Sequence, residues 1–337
     1  MPGLVEAKSA FIYWGAKTFG ERFIEYRLPK LDLTGIEQTP TNPLLEEARD
    51  AYANFRAART PTEKAVALLN LSQKQIDMSY FPAARRSLTT LEELTRDLRP
   101  NDQAYYQAAI LVKKAWIADY ETGYLDEIGL LQQAQTLLAT RYHGPRTQRE
   151  EDLQSTVTHF MGRAHLGRAN QGINPQENAA KAYDYFNHDQ PRFERLRQQG
   201  ESKPANEGFQ HLWKSVCNLA FNNIEMAQAE VETANQLFNE HLIDNPKSGI
   251  RGHYFLVQGL IALQQREPQT ATGHFLESAR IRTDVENYPM GLALALTGAS
   301  RAQLSVGNYL RSLNYFMQAF KTQPAILLYA CNGRLIG

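Results

Sequence analysis

The stretch Leu292–Pro324, LALALTGASRAQLSVGNYLRSLNYFMQAFKTQP, predicts two short helices packed against each other. Asn287 and Pro289 supply a helix start, because Asn can cap free N–H groups and Pro is tolerated at the first helical position. Leu and Ala then recur at helical spacing. Gly307 allows a positive φ at the turn, and Pro324 prevents the second helix from continuing. Two helices joined by so short a turn must lie antiparallel.

The sizes of the side chains in this stretch predict how the two helices meet. Ser300, Ser312 and Ala319 are small, which favours a close approach of the two backbones at these positions. Tyr309 and Phe316 are large, and we expect them to fill the space between neighbouring helix pairs. The stretch therefore predicts one unit of a stack of helix pairs.

This pattern resembles the tetratricopeptide repeat (TPR), a helix-turn-helix unit of about 34 residues. Its motif has a small residue in the first helix, Gly at the turn, an aromatic residue after it, and then Ala, aromatic, Ala and Pro. Leu296 and Gln303 occupy the aromatic positions of the first helix and depart from the motif. The matching positions are Gly307, Tyr309, Phe316, Ala319 and Pro324.

The same order of small and large residues recurs upstream, with Gly259, Ser215 or Ser72 at the small position of the first helix. The small, large and small positions of the second helices are then Ala271, Phe275 and Ser278; Ala227, Val231 and Ala234; and Ala84, Leu88 and Leu91. Leu91 departs from the pattern, because its position should be small. The last three copies lie roughly 41 to 44 residues apart, which predicts extended helices or longer loops. We therefore predict an all-α, TPR-like α-solenoid of antiparallel helix pairs that is irregular in its middle.

Breaks in the helical pattern divide the chain into residues 1–42, a helix and linker; 43–142, a first set of helical pairs; and 150–337, the TPR-like repeats. Within the last part, 187–208 is polar and interrupted by Pro and Gly, which predicts an irregular excursion around a short helix. The N-terminal helix carries an aromatic surface formed by Phe11, Trp14, Phe19 and Phe23. That surface must be buried against the solenoid, a second copy in a homodimer, a partner, or a membrane interface.

Composition excludes several classes of function. Lys plus Arg equal Asp plus Glu at 36 each, so no global field attracts nucleic acid or an anionic membrane. No apolar run reaches the roughly 18 residues of a spanning helix, so we expect no membrane insertion. Cys217 and Cys331 lie far apart within helical patterns, which favours free thiols and a reducing cytoplasm.

The sequence contains no assembled catalytic motif. It has no pair of His at zincin spacing, no Cys pair at zinc spacing and no phosphate-binding loop, so we expect no metal and no cofactor. His188 and Asp189 resemble the dyad of all-helical, metal-dependent HD phosphohydrolases, with His159 or His165 as a further ligand. That enzyme is the alternative from another class of function.

The TPR resemblance implies a concave groove, lined by first-helix residues, that holds a protein or peptide segment. Val66 stands where the carboxylate-binding members of the family carry Lys, which excludes their specificity for a terminal carboxylate. The implied lining is Leu212, Val216, Leu219, His253, Leu256, Leu260, Leu263, Leu294, Thr297 and Arg301, mainly apolar and suited to an amphipathic helix. The groove could instead be filled by the chain's own N-terminal helix or by the excursion. We predict a non-catalytic protein-interaction scaffold or adaptor, with a peptide-sensing regulatory module as the alternative among binding proteins.

Overall fold

The computed structural model describes residues 43–78, 80–121, 124–140, 147–170, 172–246, 248–283 and 289–322. Within these ranges the regular structure is helical throughout and contains no strand, so the predicted all-α class is confirmed. The N-terminal helix with Phe11, Trp14, Phe19 and Phe23, and also Cys331, lie outside the described residues.

The helices follow one another with short connections. In chain order they are α1 Pro43–Ala57, α2 Pro61–Asp77, α3 Phe81–Leu94, α4 Pro100–Glu121, α5 Tyr124–Thr140, α6 Gln148–Asn170, α7 Pro175–Asn187, α8 Gln190–Gln198, α9 Pro204–Ala220, α10 Ile224–Asp244, α11 Arg251–Gln264, α12 Pro268–Ile281, α13 Pro289–Ser305 and α14 Tyr309–Thr322. A 3₁₀ turn, Thr95–Asp97, extends α3.

The described residues up to His165 form one compact unit, and those from Leu166 onward form another. The division lies within α6. α6 begins at Gln148, between the predicted parts 43–142 and 150–337.

The first unit is built from helices packed in chain order: α1 on α2, α2 on α3, and α4 on α5, with α2 also touching α4. The predicted register is buried, since Ser72, Ala84, Leu88 and Leu91 are fully or almost fully inaccessible. The same spacing recurs in α4 and α5, a copy that the four predicted registers do not include. Its buried residues are Ala115, Glu127, Leu131 and Ala134, where Glu127 takes a position that is small in the other copies.

The second unit contains three regular pairs, α9 with α10, α11 with α12, and α13 with α14. Each pair contacts the next, and α11 touches the first helices on both sides, α9 and α13. The small positions predicted for these pairs are all buried. The prediction for Tyr309 is wrong: its side chain is 71% exposed, because no described helix packs beyond α14.

Phe275 shows why glycines recur in the first helices. Its ring is fully buried between Gly259 of α11 and Gly298 of α13. A Cβ added at either glycine would lie 2.6 Å from a ring carbon of Phe275, far inside van der Waals contact. The large position of α12 is therefore filled by a ring that needs a missing side chain on both neighbouring helices.

The predicted excursion at 187–208 is more regular than expected. The short helix is present as α8, but α9 already begins at Pro204. This segment is regular because the side chains of Phe193 and Leu196 are almost fully buried. In addition, Arg197 of α8 forms an ion pair with Glu207 of α9.

Candidate protein-binding surface

The side chains predicted to line a groove do not form one open surface. Leu219, His253, Leu263 and Leu294 are half-buried, and Arg301 is exposed. The others have at most 7% of their surface exposed: Leu212, Val216, Leu256, Leu260 and Thr297.

The burial of these residues follows from how closely the first helices pack. Because α11 touches both α9 and α13, its inward side chains are shared between neighbours and are not left facing solvent. At the edge of this interface the ring of His253 meets the ring of Phe209 edge-on, with centroids 4.9 Å apart.

Large exposed apolar side chains concentrate instead on the last described pair. Leu310 is 83% exposed, Leu313 58% and Leu304 53%. We call this surface the terminal apolar face, formed by Leu304, Val306, Tyr309, Leu310, Leu313 and Met317.

On α14 these residues share one side of the helix. Tyr309, Leu310, Leu313 and Met317 fall within about 100° of the helix circumference, since each residue turns by about 100°. Ser312 and Ala319, which pack on α13, lie on the adjoining side. The apolar surface of α14 is therefore wider than the part that α13 covers.

The preceding pair shows how such a face is covered inside the stack. Phe275 of α12 is closed off by Gly298 of the following pair. Phe316 holds the same register position on α14, yet it is only half-buried. The terminal apolar face is thus the surface on which a further layer would pack.

The charges on this pair are of one sign. Arg301, Arg311 and Lys321 are exposed, and α13 and α14 contain no Asp or Glu. Arg301 precedes Leu304 by three residues on α13, and Lys321 follows Met317 by four on α14, so each cation lies beside an apolar residue of the face.

The first unit carries a different depression, between α1 and α2, with a volume of about 960 Å³. Its lining is of mixed charge, and Lys74 forms an ion pair with Glu47 across it. Val66, which is 45% exposed, contributes one apolar side chain. The other apolar side chains of the lining are the small ones of Ala51, Ala57, Ala58 and Ala67, so Val66 is its only large apolar side chain.

A buried polar cluster joins α7, α9 and α10 in the second unit. Nδ1 of His211 lies 2.6 Å from Oε2 of Glu230, and the Tyr183 hydroxyl donates to Oε1 of Glu230 over 3.3 Å. Lys214 Nζ lies 3.4 Å from the same oxygen. Burial alone would raise the pKa of the Glu230 carboxyl, but the hydrogen bond from His211 and the charge of Lys214 hold that pKa below its usual range. The four side chains satisfy one another, which ties the three helices together.

Two further ionisable groups with shifted pKa values lie in the first unit, the buried Glu127 and the half-buried Lys113. Burial raises the pKa of Glu127 to about 8, although the positive charge of Arg163 acts to lower it. Arg163 also forms an ion pair with Asp119, with 3.0 Å between the guanidinium nitrogen and Oδ2. Burial likewise lowers the pKa of Lys113 to about 8, against the charge of Asp77. Sequence reasoning missed both groups, because each lies in an ordinary helical pattern whose burial only the packing reveals.

Of the residues considered for a metal-dependent phosphohydrolase, His188 and Asp189 lie close together. Nδ1 of His188 lies 3.3 Å from Oδ1 of Asp189. Among the described residues, no group of three or more His, Cys, Asp or Glu side chains is arranged to hold a metal ion. Cys217 is a free, buried thiol as predicted, and burial raises its pKa.

In the part of the chain that the structure describes, no helix combines the length and the apolar character needed to cross a bilayer.

No family model and no curated protein matches this sequence. Among solved structures, the chain is similar to BtubC (BKLC) from P. vanneervenii, with a TM-score of 0.41 and 10% sequence identity. The match covers 85% of this chain and 93% of that one. A likeness at this level assigns neither a family nor a function to the chain.

Proposed function

We propose that this protein is a non-catalytic interaction scaffold that binds a segment of another protein, and that it does so in the cytoplasm. The observation that carries the proposal is the concentration of large exposed apolar side chains on α13 and α14, between Leu304 and Met317. Single exposed apolar residues are common on proteins, but a contiguous apolar surface is typical of an interaction site.

Much of the apolar area of these side chains is left in water. Burying apolar surface is favourable by roughly 25 cal/mol per Å², so a fully buried Leu contributes about 2 kcal/mol. Leu310, Leu313 and Tyr309 are each more than half exposed, so most of this free energy is still available to a partner.

The terminal apolar face is a better binding surface than the groove implied by the TPR resemblance. Leu256 and Leu260 each have 7% of their surface exposed, so they offer little area to a partner. Substituting them with Asp would bury a charge and unfold the pair, whatever their role in binding. Leu219, His253, Leu263 and Leu294 are half-buried, so each offers only part of its surface to a partner.

The internal pairing of the polar clusters supports a scaffold without turnover. Glu230 is engaged by His211, Lys214 and Tyr183, and Arg163 is engaged by Asp119. Removing one partner of such a pair would leave an uncompensated buried charge, which is strongly destabilising, so a structural role accounts for these groups.

Site-specific photo-crosslinking tests the proposal. A photoreactive phenylalanine analogue is placed at position 313 of the full-length chain, in cells of the source organism, and a matched variant carries it at position 243. Ile243 of α10 is 79% exposed but lies away from the terminal apolar face in sequence. A discrete adduct that forms from position 313, but not from position 243, supports the proposal. The same adducts from both positions, or none from position 313, would refute it.

A further inference from the structure

The chain continues beyond α14 with an apolar stretch, residues 325–330, whose sequence is AILLYA. Pro324 precedes it, and Asn332 with Gly333 follows it, so the sequence predicts a helix of about two turns between them. A helix of this sequence carries apolar side chains on every side, and such a helix is stable only when it is buried. These residues therefore need a covering surface as much as the terminal apolar face does.

The packing of the second unit indicates where that surface is. In each earlier regular pair, the helix that follows the second helix packs on it: α11 on α10, and α13 on α12. Phe275 of α12 is closed off in this way by Gly298 of α13. Phe316 holds the same register position on α14 and is only half-buried. The order of the stack therefore predicts that the residues following α14 pack on α14.

The connection between the two elements is short. A single residue separates Thr322, the last residue of α14, from Pro324. A helix that runs back from Pro324 along α14 would place Cys331, seven residues later, beside the part of α14 about seven residues before its end, because both helices rise by about 1.5 Å per residue. That part of α14 lies between Leu313 and Met317, within the terminal apolar face.

We propose that residues 325–330 dock on the terminal apolar face and mask it until a protein partner displaces them. This inference rests on the proposed function and adds the regulation of the same surface. Docking removes apolar side chains of both elements from water. Binding of a partner is then an exchange of one apolar segment for another, and its affinity is reduced by the fraction of molecules in which the face is open.

The aromatic N-terminal segment, residues 4–26, is the other apolar candidate within the chain. It contains equal numbers of acidic and basic side chains, Glu6, Glu21 and Glu25 against Lys8, Lys17 and Arg22. It therefore has no net charge that would attract it to the last described pair. It also joins the described chain at α1, in the first unit, whereas residues 325–330 follow α14 directly.

A second copy of the chain is the remaining occupant to compare. Its binding is limited by the concentration of the protein in solution, whereas a short tether holds a segment at a millimolar effective concentration. The segment that follows α14 is therefore favoured over both alternatives by its connection to the face.

The native thiol of Cys331 tests docking in the purified full-length protein. Each of three variants introduces one Cys on the apolar side of α14: Leu310→Cys, Leu313→Cys and Met317→Cys. A disulfide requires two Cα atoms within about 7 Å, so we expect mild oxidation to join at least one of these positions to Cys331 within one chain. The product is identified by mass spectrometry of unreduced tryptic peptides from the monomer band of a gel.

Ile243→Cys is the matched control, because this position on α10 is 79% exposed and lies away from the terminal apolar face in sequence. It should form no disulfide with Cys331. The other native thiol, Cys217, is fully buried and does not compete. Disulfides from none of the three positions on α14, or equally from position 243, would overturn docking.

Photo-crosslinking of the purified protein identifies the occupant by a second route. With the photoreactive phenylalanine analogue at position 313, docking predicts an adduct with the tryptic peptide Thr322–Arg334 of the same chain. An adduct with residues 4–26 would assign the face to the N-terminal segment. An adduct between two chains would assign it to a second copy, and either result would overturn the inference.

The masking is tested by opening the face. Ile326→Asp combined with Leu327→Asp should release the segment, and Asn332→Asp controls for added negative charge in the same stretch. In cells, the yield of partner adduct from position 313 should rise several-fold in the double variant, by about tenfold if the face is open one tenth of the time. The control should match the wild type, and circular dichroism shows whether the helices are retained.

The outcomes separate this inference from the proposed function. An unchanged yield of partner adduct in the double variant would overturn the masking while leaving the interaction surface standing. No partner adduct from position 313 in any variant would refute the proposed function, and the masking with it. The disulfides with Cys331 decide the docking in either case, because they form in the purified protein without a partner.

Discussion

The hydroxyl of Ser300 on α13 donates a hydrogen bond to the backbone carbonyl of Ser312 on α14, over 2.8 Å. The two residues lie twelve positions apart, at the point where the helices of the pair cross. Ser215 makes the same contact to the carbonyl of Ala227, over 2.7 Å and with the same spacing. A small hydroxyl side chain at this position thus allows the backbones to approach and also holds them together.

Replacing Ser300 with Ala should destabilise the second unit by about 1 kcal/mol, the usual net value of one buried hydrogen bond. Ser305→Ala serves as the control, because its hydroxyl bonds only to the carbonyl of Ala302 in its own helix. Urea unfolding of both variants measures the difference. Equal stability of the two variants would show that the contact between helices contributes nothing.

Gly298 and Gly273 should respond in opposite directions to substitution by Ala. A Cβ at Gly298 would press on the buried ring of Phe275, which Gly259 confines from the other side, so we expect a loss of about 1–3 kcal/mol. A Cβ at Gly273, on the exposed side of α12, meets nothing within 4 Å. Gly273→Ala should therefore stabilise the protein by about 0.5–1 kcal/mol, through helix propensity. Thermal unfolding that lowers Tm for both variants, or for neither, would contradict this account.

Gly307 adopts a φ of +75° at the turn between α13 and α14, as the sequence predicted. Since nothing lies within 4 Å of its missing Cβ, a substitution here is penalised by the backbone conformation alone. Gly307→Val should cost more than about 1 kcal/mol. Gly307→Asn should cost clearly less, because Asn tolerates this region and Asn222 already adopts a φ of 57° in the turn between α9 and α10. Chemical denaturation of both variants tests the ranking, and a Val variant as stable as the Asn variant would contradict it.

The sequence predicted the pairs of helices well wherever the residues that begin and end helices agreed with the spacing of the apolar residues. Gly307 and Pro324 correctly indicated the helix pair at the end of the described chain. Thr60 and Glu63, which form a capping box at the start of α2, are a similarly local signal. These features are local, so they can be inferred from neighbouring residues in the sequence.

The candidate site was harder to predict because exposure depends on distant neighbours. Leu256 and Tyr309 both follow the register of the repeat, yet Leu256 is buried by adjacent first helices and Tyr309 is exposed. The register specifies which way a side chain faces, but not whether another helix lies there. The copy of the repeat in α4 and α5 was missed because Glu127 occupies a position that is small and uncharged in the other copies. A carboxyl can be buried there only when it is neutral or paired, which the sequence does not reveal.

The buried carboxyl of Glu127 should make the stability of the first unit depend on pH. Burial raises its pKa to about 8 in the folded chain, from an ordinary value of 4.5. Between these two values the unfolded chain loses the proton and the folded chain keeps it, so unfolding is favoured as pH rises. The contribution is fully present below about pH 4.5 and is lost progressively up to about pH 8, by at most about 1.4 kcal/mol for each pH unit.

Glu127→Gln removes this titration while keeping the shape of the side chain. The variant should gain stability relative to the wild type as pH rises from 5 towards 8, and the gain should level off above that pH, where the folded wild type also ionises. Asp119 and Arg163, the charged neighbours across the interface with α4 and α6, are unchanged in the variant. Glu93→Gln, at an exposed position on α3, controls for the loss of one acidic side chain. Urea unfolding at a series of pH values provides the measurement, and a difference between Glu127→Gln and wild type that stays constant from pH 5 to pH 8 would show that the carboxyl is already ionised in the folded protein.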